Sequence, residues 1–242
     1  MQQGTRPTPS VSRSVWLWPL FGFVALIMLL MTRIFVIQPF STPSGSMEPT
    51  MLIGDYFVVA KYAYGYSRYS LPFSPRLFEG RIFGAEPQRG DLIVFRLPRD
   101  DATDYIKRVV GLPGERIQMR NGELYINGTV VKRERLADFV DSSLDKGKRV
   151  KRWRETLPNG ASYETLDLMD NGFLDNTPEF VVPAGHYFVL GDNRDNSTDS
   201  RVLTQVGYIP FANLIGRADR VIFSIDSDTG GIRPDRVGLR LR

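Results

Sequence analysis

The longest apolar run comes first. Ser14 to Thr32 is nineteen residues without a charge, rich in Leu, Phe, Ile, Val and Met, and Ile34-Phe35-Val36 extends it past Arg33. At a helical rise of about 1.5 Å per residue such a run covers roughly 30 Å, the depth of a hydrocarbon core, which predicts a transmembrane anchor over 14–36. Pro19 falls near its start, where a helix tolerates proline, and Trp16 and Trp18 stand at one end, where interfacial aromatics belong. A cleavable signal peptide is the competing reading, but its apolar region is usually about 7 to 15 residues long and is followed by a small-x-small site. Here Gln38-Pro39-Phe40-Ser41-Thr42-Pro43 follows, and its prolines suit an uncleaved anchor better. Arg6 and Arg13 precede the span with no acid nearby, which predicts a short cytoplasmic tail over 1–13 and an exported remainder beyond about 37. Arg33, on the far side, weighs against this orientation unless it snorkels to the interface.

Past the anchor the pattern changes to short β-branched runs divided by Gly, Pro and Asn-Gly, with few long helical periods. This predicts a mainly β protein: a complex fold of several antiparallel sheets behind one amino-terminal transmembrane helix. Strands are expected at Tyr56 to Lys61, Leu92 to Arg96, Ile106 to Val110, Arg116 to Arg120, Glu123 to Ile126, Tyr187 to Leu190 and Arg220 to Ser224. Asn121-Gly122 between two of them is a hairpin signal. Two stretches break the pattern. Tyr62 to Gln88 is rich in Tyr, Phe, Pro and Gly without a period and reads as a loop or hairpin insertion; from about Lys132 to Pro178 the chain is polar and charged. The expected organisation is a β domain from 37–113 and 183–242, with the insertion at 62–88, and a smaller inserted β subdomain over 114–182.

Composition narrows the chemistry. The 242 residues are 42% apolar, ample for a core, and they include one His and no Cys. Thiol catalysis, a disulfide framework and a zinc cluster are thereby excluded or nearly so, and no metal or cofactor is expected. The net charge is a mild +4, and six of the nine residues from Lys146 to Arg154 are basic, with Trp153 among them. That run reads either as a contact for anionic lipid or nucleic acid or as a solvated basic strand. Nothing else in the chain points to nucleic acid.

With so little histidine, a hydrolase here must draw its base from a lysine, a carboxylate or His186. Lys107, within Asp104-Tyr105-Ile106-Lys107-Arg108-Val109-Val110, has the apolar surroundings that suit a base. At a usual pKa of about 10.4 only some 0.04% of a lysine is neutral near pH 7, and a drop of about two units brings it to a few per cent. Burial produces shifts of that size. A nucleophile is offered by the tight, small-residue turn Pro43-Ser44-Gly45-Ser46-Met47-Glu48-Pro49-Thr50 just after the anchor, since a serine hydroxyl needs a base to take its proton. A third polar segment, Gly191 to Arg201, follows an expected strand. Its carboxylates do not fall at calcium-loop spacing, so it reads as a rigid turn whose acids pair with arginines.

Together, Ser44-Gly45-Ser46-Met47-x-Pro49-Thr50, Arg89-Gly90-Asp91 with Tyr105-Ile106-Lys107-Arg108 and Gly111-Leu112-Pro113-Gly114, and Gly191 to Arg201 resemble bacterial type I signal peptidase, in that family's order. The resemblance implies a Ser-Lys dyad, with Ser46 as nucleophile and Lys107 as general base, and leaves His186 aside. It implies that the Ser46 N–H and the Ser44 hydroxyl hold the oxyanion, that Ser197 orients the lysine, that Asp199 pairs with Arg201, and that Asp192 meets Arg108. The implied substrates are exported preproteins cut after small-x-small sequences and bound as an added β-strand. Phe40, Thr42, Pro43, Met47, Met51, Tyr105 and Ile106 take the positions that line the two small pockets, although Met47, Met51 and Ile106 equally suit ordinary core. It also implies a place in the bacterial inner membrane, with phospholipid as a partner and the catalytic part outside the cytoplasm. Glu48 stands where several relatives are uncharged and is expected to face solvent. Many relatives carry a second amino-terminal span, and this chain has room for one. A self-cleaving SOS-repressor-type peptidase, a conjugation-linked processing peptidase and an anchored protein without catalysis are the alternatives. The first needs a DNA-binding domain where residues 1–36 supply an anchor, and the last predicts loss of Ser46 or Lys107.

Overall fold

The computed structural model describes residues 17–76, 78–140 and 147–241. The expected tail over 1–13, the start of the anchor with Trp16, and Lys146 lie outside them. Helix α1 (Leu17–Met31) passes into a wider π-type turn over Thr32–Val36, and the span Trp18–Val36 is long and apolar enough to cross a membrane. Its side chains are almost all exposed.

Fifteen strands follow among the described residues. In chain order they are β1 (Ile37–Ser41), β2 (Asp55–Ala60), β3 (Leu92–Arg96), β4 (Asp104–Gly111), β5 (Arg116–Arg120), β6 (Glu123–Ile126), β7 (Thr129–Val130) and β8 (Lys132–Arg135). Then come β9 (Phe139–Val140), β10 (Arg149–Thr156), β11 (Ser162–Asp167), β12 (Phe180–Val181), β13 (His186–Leu190), β14 (Ile209–Pro210) and β15 (Leu214–Ser224). The protein is mainly β, built from antiparallel sheets behind one amino-terminal apolar helix. A seven-stranded sheet runs β1-β2-β15-β3-β4-β13-β14; β12-β5-β6-β7 form a second, and β11-β10-β8, with β9 on β10, a third.

The first sheet fixes the site because β4 is an interior strand. Lys107 lies opposite Ile93 of β3, and Arg108 lies between Leu92 of β3 and Leu190 of β13. A lysine there is flanked by apolar strands on both sides. At one end of β4 a turn clips the chain: Gly90 donates its N–H to Val109 O at 2.8 Å, and Arg89 meets Glu115 at 2.5 Å. Gly90 holds a φ of +98, which favours glycine. Core packing does not stop at the sheet boundary. Val110 and Leu190 of the large sheet cluster with Ile117, Leu124 and Phe180 of the second.

Several expected strands differ in extent. Arg220 to Ser224 is the end of the eleven-residue β15, whose first half was hidden because Gly216, Arg217 and Asp219 interrupt its apolar pattern. β1 was not expected, since Pro39 argues against a strand; as an edge strand it accommodates one. β10 resolves the basic run from Arg149 onward as a strand. Arg152 and Arg154 approach Glu164 of β11 at 3.4 and 3.6 Å, and Arg133 of β8 lies 3.8 Å from the Trp153 ring centroid. The 62–88 segment forms short turns joined by a Tyr66/Ile82 bridge. It clasps the end of the apolar span: Tyr66 donates its O–H to Phe35 O at 2.7 Å, and Lys61, where the segment begins, donates to Ile34 O at 3.2 Å.

Candidate active site

Ser46 sits at the centre of a single 3-10 turn, Gly45–Met47, entered from an extended Ser44. The turn is held from two sides. Glu48 N–H donates back to Gly45 O at 3.1 Å, while Asn193 donates its N–H to Ser46 O and its Nδ2 to Gly45 O, both at 3.1 Å. From β4, Lys107 brings Nζ to 2.7 Å from Ser46 Oγ. Lys107 is 4% exposed and Ser46 8%, so the contact is shielded from water. Burial is the largest influence on the amine; Asp199 and Asp192 draw its pKa upward and Arg201 downward, and the balance lowers it to about 8. The Tyr105 ring centroid lies 5.6 Å from Nζ.

Two buried ion pairs frame this contact. Arg108 donates Nε and Nη2 to the two oxygens of Asp192 at 2.7 and 2.6 Å, and Thr50 Oγ1 donates to the same carboxylate at 2.5 Å. Arg201 grips both oxygens of Asp199 at 2.8 Å, and Gly191 N–H adds a bond of 3.0 Å. Burial opposes ionisation of Asp199, but Arg201 beside it outweighs this and holds its carboxyl below the usual range.

Ser44 Oγ lies 3.3 Å from Ser46 Oγ on the same turn. Ser197 is also buried close by, but its hydroxyl makes no hydrogen bond to Lys107, in contrast to the orienting bond expected for it. Of the pocket candidates, Phe40, Tyr105 and Ile106 are partly exposed and Pro43 is exposed. Thr42 is buried with its N–H bonded to Asp55 O at 2.8 Å. Met47 and Met51 are 0% exposed and pack with Phe57 and Leu92, so they belong to the core, beneath the surface and not on it.

A model of the family described as Signal peptidase, peptidase S26 matches residues 15–223. The chain belongs to the signal peptidase family. Its relatives include a signal peptidase I of Rickettsia conorii, 44% identical over 89% of this chain and 84% of that one. Another is that of Rickettsia canadensis, 43% identical with the same coverage. A crystal structure of a signal peptidase I from Enterococcus faecalis is 32% identical, covering 55% of this chain and 97% of its own, with a TM-score of 0.33. The chain is thus a signal peptidase I enzyme by family, and His186, bonded through Nδ1 to Ala184 O at 2.8 Å, lies on β13 with no bond to Ser46 or Lys107.

Three features of this signal peptidase site were not legible beforehand. Asn193 was seen only as part of a polar run, and its clamp on the Gly45–Met47 turn spans 148 residues of sequence. Glu48, expected in solvent, is 1% exposed, at the extended end of the 3-10 turn next to the buried Met47. Gly191 is where the loop and the Ser46 turn converge: a Cβ there would meet Ser197 Oγ at 2.2 Å and Ser46 O at 2.6 Å. Replacing Gly191 with Ala is expected to push the two segments apart and lower kcat about 10²-fold with little change in KM, measured by steady-state kinetics.

Proposed function

We propose that this chain is a membrane-anchored serine endopeptidase that removes signal peptides from exported preproteins, with Ser46 as nucleophile and Lys107 as base. The observation that carries this reading is the 2.7 Å approach of a buried amine to a buried hydroxyl. A lysine with pKa about 8 instead of 10.5 is about 9% neutral at pH 7 instead of about 0.03%, a gain of roughly 300-fold in active base. Ser46 O–H donates to the neutral Nζ. Its oxygen then attacks the scissile carbonyl carbon while Lys107 takes the proton. The oxyanion is stabilised by the Ser46 N–H and the Ser44 hydroxyl. Collapse breaks the C–N bond, and Lys107 returns the proton to the departing amine. Water attacks the resulting ester with Lys107 again as base, releasing the signal peptide carboxylate and restoring Ser46.

The edge strand β1 supports binding of the substrate as an added strand, because its outer side has no strand neighbour among the described residues. Phe40 and Ile106, both partly exposed, pack against the buried cluster that includes Met47 and Met51, and a well-filled floor of this kind supports small side chains in the substrate and cleavage after small-x-small sites. In the bilayer, Arg6 and Arg13 favour a cytoplasmic amino terminus in a single-pass, inner-membrane topology, and the clasp of the 62–88 segment on the anchor supports a site close to the membrane surface. We assign the peptidase site to a β domain of 37–113 and 183–242, with 114–182 as an inserted sheet layer that shares its core.

Incubating the purified full chain with a preprotein bearing an Ala-x-Ala site is expected to yield one cut, after the second Ala, by mass spectrometry. Ser46→Ala is expected to yield none. Cleavage elsewhere, or by that variant, would overturn the reading. Ser44→Ala is expected to lower kcat about 10²-fold or more while KM stays near its original value.

A further inference from the structure

The 191–201 loop is tied to the third sheet as well as to its own. Leu166 of β11 donates its N–H to Asp192 O at 2.9 Å and accepts that of Arg194 at 3.0 Å, a short parallel pairing between β11 and the loop. Beside these bonds the Arg194 side chain is buried against Glu155 of β10, with Nη2 donating to Oε2 at 2.6 Å. Tyr163 of β11 donates its O–H to the same oxygen at 2.9 Å. Burial, and then the Glu155 charge, hold the Tyr163 phenol well above its usual pKa, so it remains a donor. All three side chains are 5% exposed or less.

This cluster reaches both ion pairs of the site. The Arg108 guanidinium, which grips Asp192, lies 4.1 Å from the Tyr163 ring centroid. The Arg201 guanidinium, which grips Asp199, donates to Arg194 O at 2.6 Å. We propose that Glu155, Tyr163 and Arg194 are positioning residues for the peptidase reaction: through them the β10–β11 hairpin holds the 191–201 loop and Arg108, and so keeps Lys107 aligned on Ser46.

The inference rests on the dyad reading above. Burying an ion pair is a poor means of gaining stability, since apolar residues of similar volume usually do as well, but it selects one geometry. That geometry matters most at Lys107, which is faced by Asp192, Asp199 and Arg201 from the loop, by Ser46, and by Tyr105 of its own strand. A loosened loop admits water to the amine and frees the two carboxylates from their arginines. Both changes favour the charged amine, and the alignment with Ser46 is lost as well. The β1 edge, where the substrate strand is placed, is formed by other elements.

The test compares the full-length protein with Tyr163→Phe, Arg194→Lys, Arg194→Gln and the double variant Glu155→Gln with Arg194→Gln, which keeps amides in both places without charge. Folding is followed by circular dichroism, and kcat, KM and the pH dependence of kcat/KM are measured on a preprotein. The double variant is expected to lose at least about tenfold in kcat with KM within about twofold. Its acid limb is expected to move up by about half a pH unit or more. Tyr163→Phe is expected to move in the same direction by about threefold in kcat, and Arg194→Lys to recover much of what Arg194→Gln loses. Folded variants with unchanged kcat and an unchanged limb would overturn the proposal, and if the double variant does not fold, Tyr163→Phe decides alone. Failure of the dyad reading is distinct: it is seen in the parent protein, as cleavage surviving Ser46→Ala or a limb surviving Lys107→Ala.

Discussion

Replacing Lys107 with Ala is expected to lower kcat/KM for a preprotein by at least about 10⁴-fold, and Ser46→Ala is expected to fall to the same floor. In the proposed mechanism hydroxyl and amine act as one unit across 2.7 Å: without the base the serine is a poor nucleophile, and without the serine the base has no proton to take. Losses from groups that act together do not add, so the double variant is expected to be no slower than either single one. Additive losses would mean the two residues serve separate steps. Lys107→Met serves as the fold control. It keeps the volume in an interior strand and removes a buried amine, so the protein is expected to stay folded and inactive, as read by circular dichroism and product mass.

Arg108→Ala is expected to cost about 3–5 kcal/mol of stability by chemical denaturation of the β part, because it strands Asp192 in the interior. Both side chains of that pair are 1% exposed, so water does not replace the lost partner. Asp192→Ala, which strands the guanidinium, is expected to be equally severe. Changing both together, Arg108→Met with Asp192→Leu, is expected to recover most of the stability, since a buried pair exchanged for apolar side chains is often neutral. Activity is not expected to return with it, because the loop that faces Lys107 loses its anchor to β4. A double variant as unstable as the single ones would mean that the pair supports the fold itself and is no mere brace for the site.

What could be read from the sequence divides along physical lines. The apolar helix and the strands at 92–96, 116–120 and 123–126 were legible because an apolar run or an alternation declares itself within a few residues. β10 and β11 were not, since their outward positions are arginines and glutamates whose pairing partner lies on another strand. At the site, the residue types suggested a lysine base and a serine turn, and the family resemblance named the pair. Contacts over long separations, such as Arg108 to Asp192 at 84 residues, are set by sheet topology and could be placed only by that resemblance. Glu155 and Tyr163 had no signal at all, being a charge and an aromatic in a polar stretch until β10 and β11 turn them inward. The burial of Met47, Met51 and Glu48 depends on how one short turn folds against the sheet, which no pattern in seven residues discloses.

The central claim is that a buried, neutral Lys107 activates Ser46, and the pH dependence of kcat/KM tests it most directly. Because the base must be unprotonated and its pKa is lowered to about 8, activity is expected to rise with pH through that value and to level off above it. Lys107→Ala is expected to abolish this limb along with the activity, while a His186 replacement leaves it in place. A limb near the usual histidine value that vanishes with His186, or one near 10.4 as for a solvated lysine, would contradict the account.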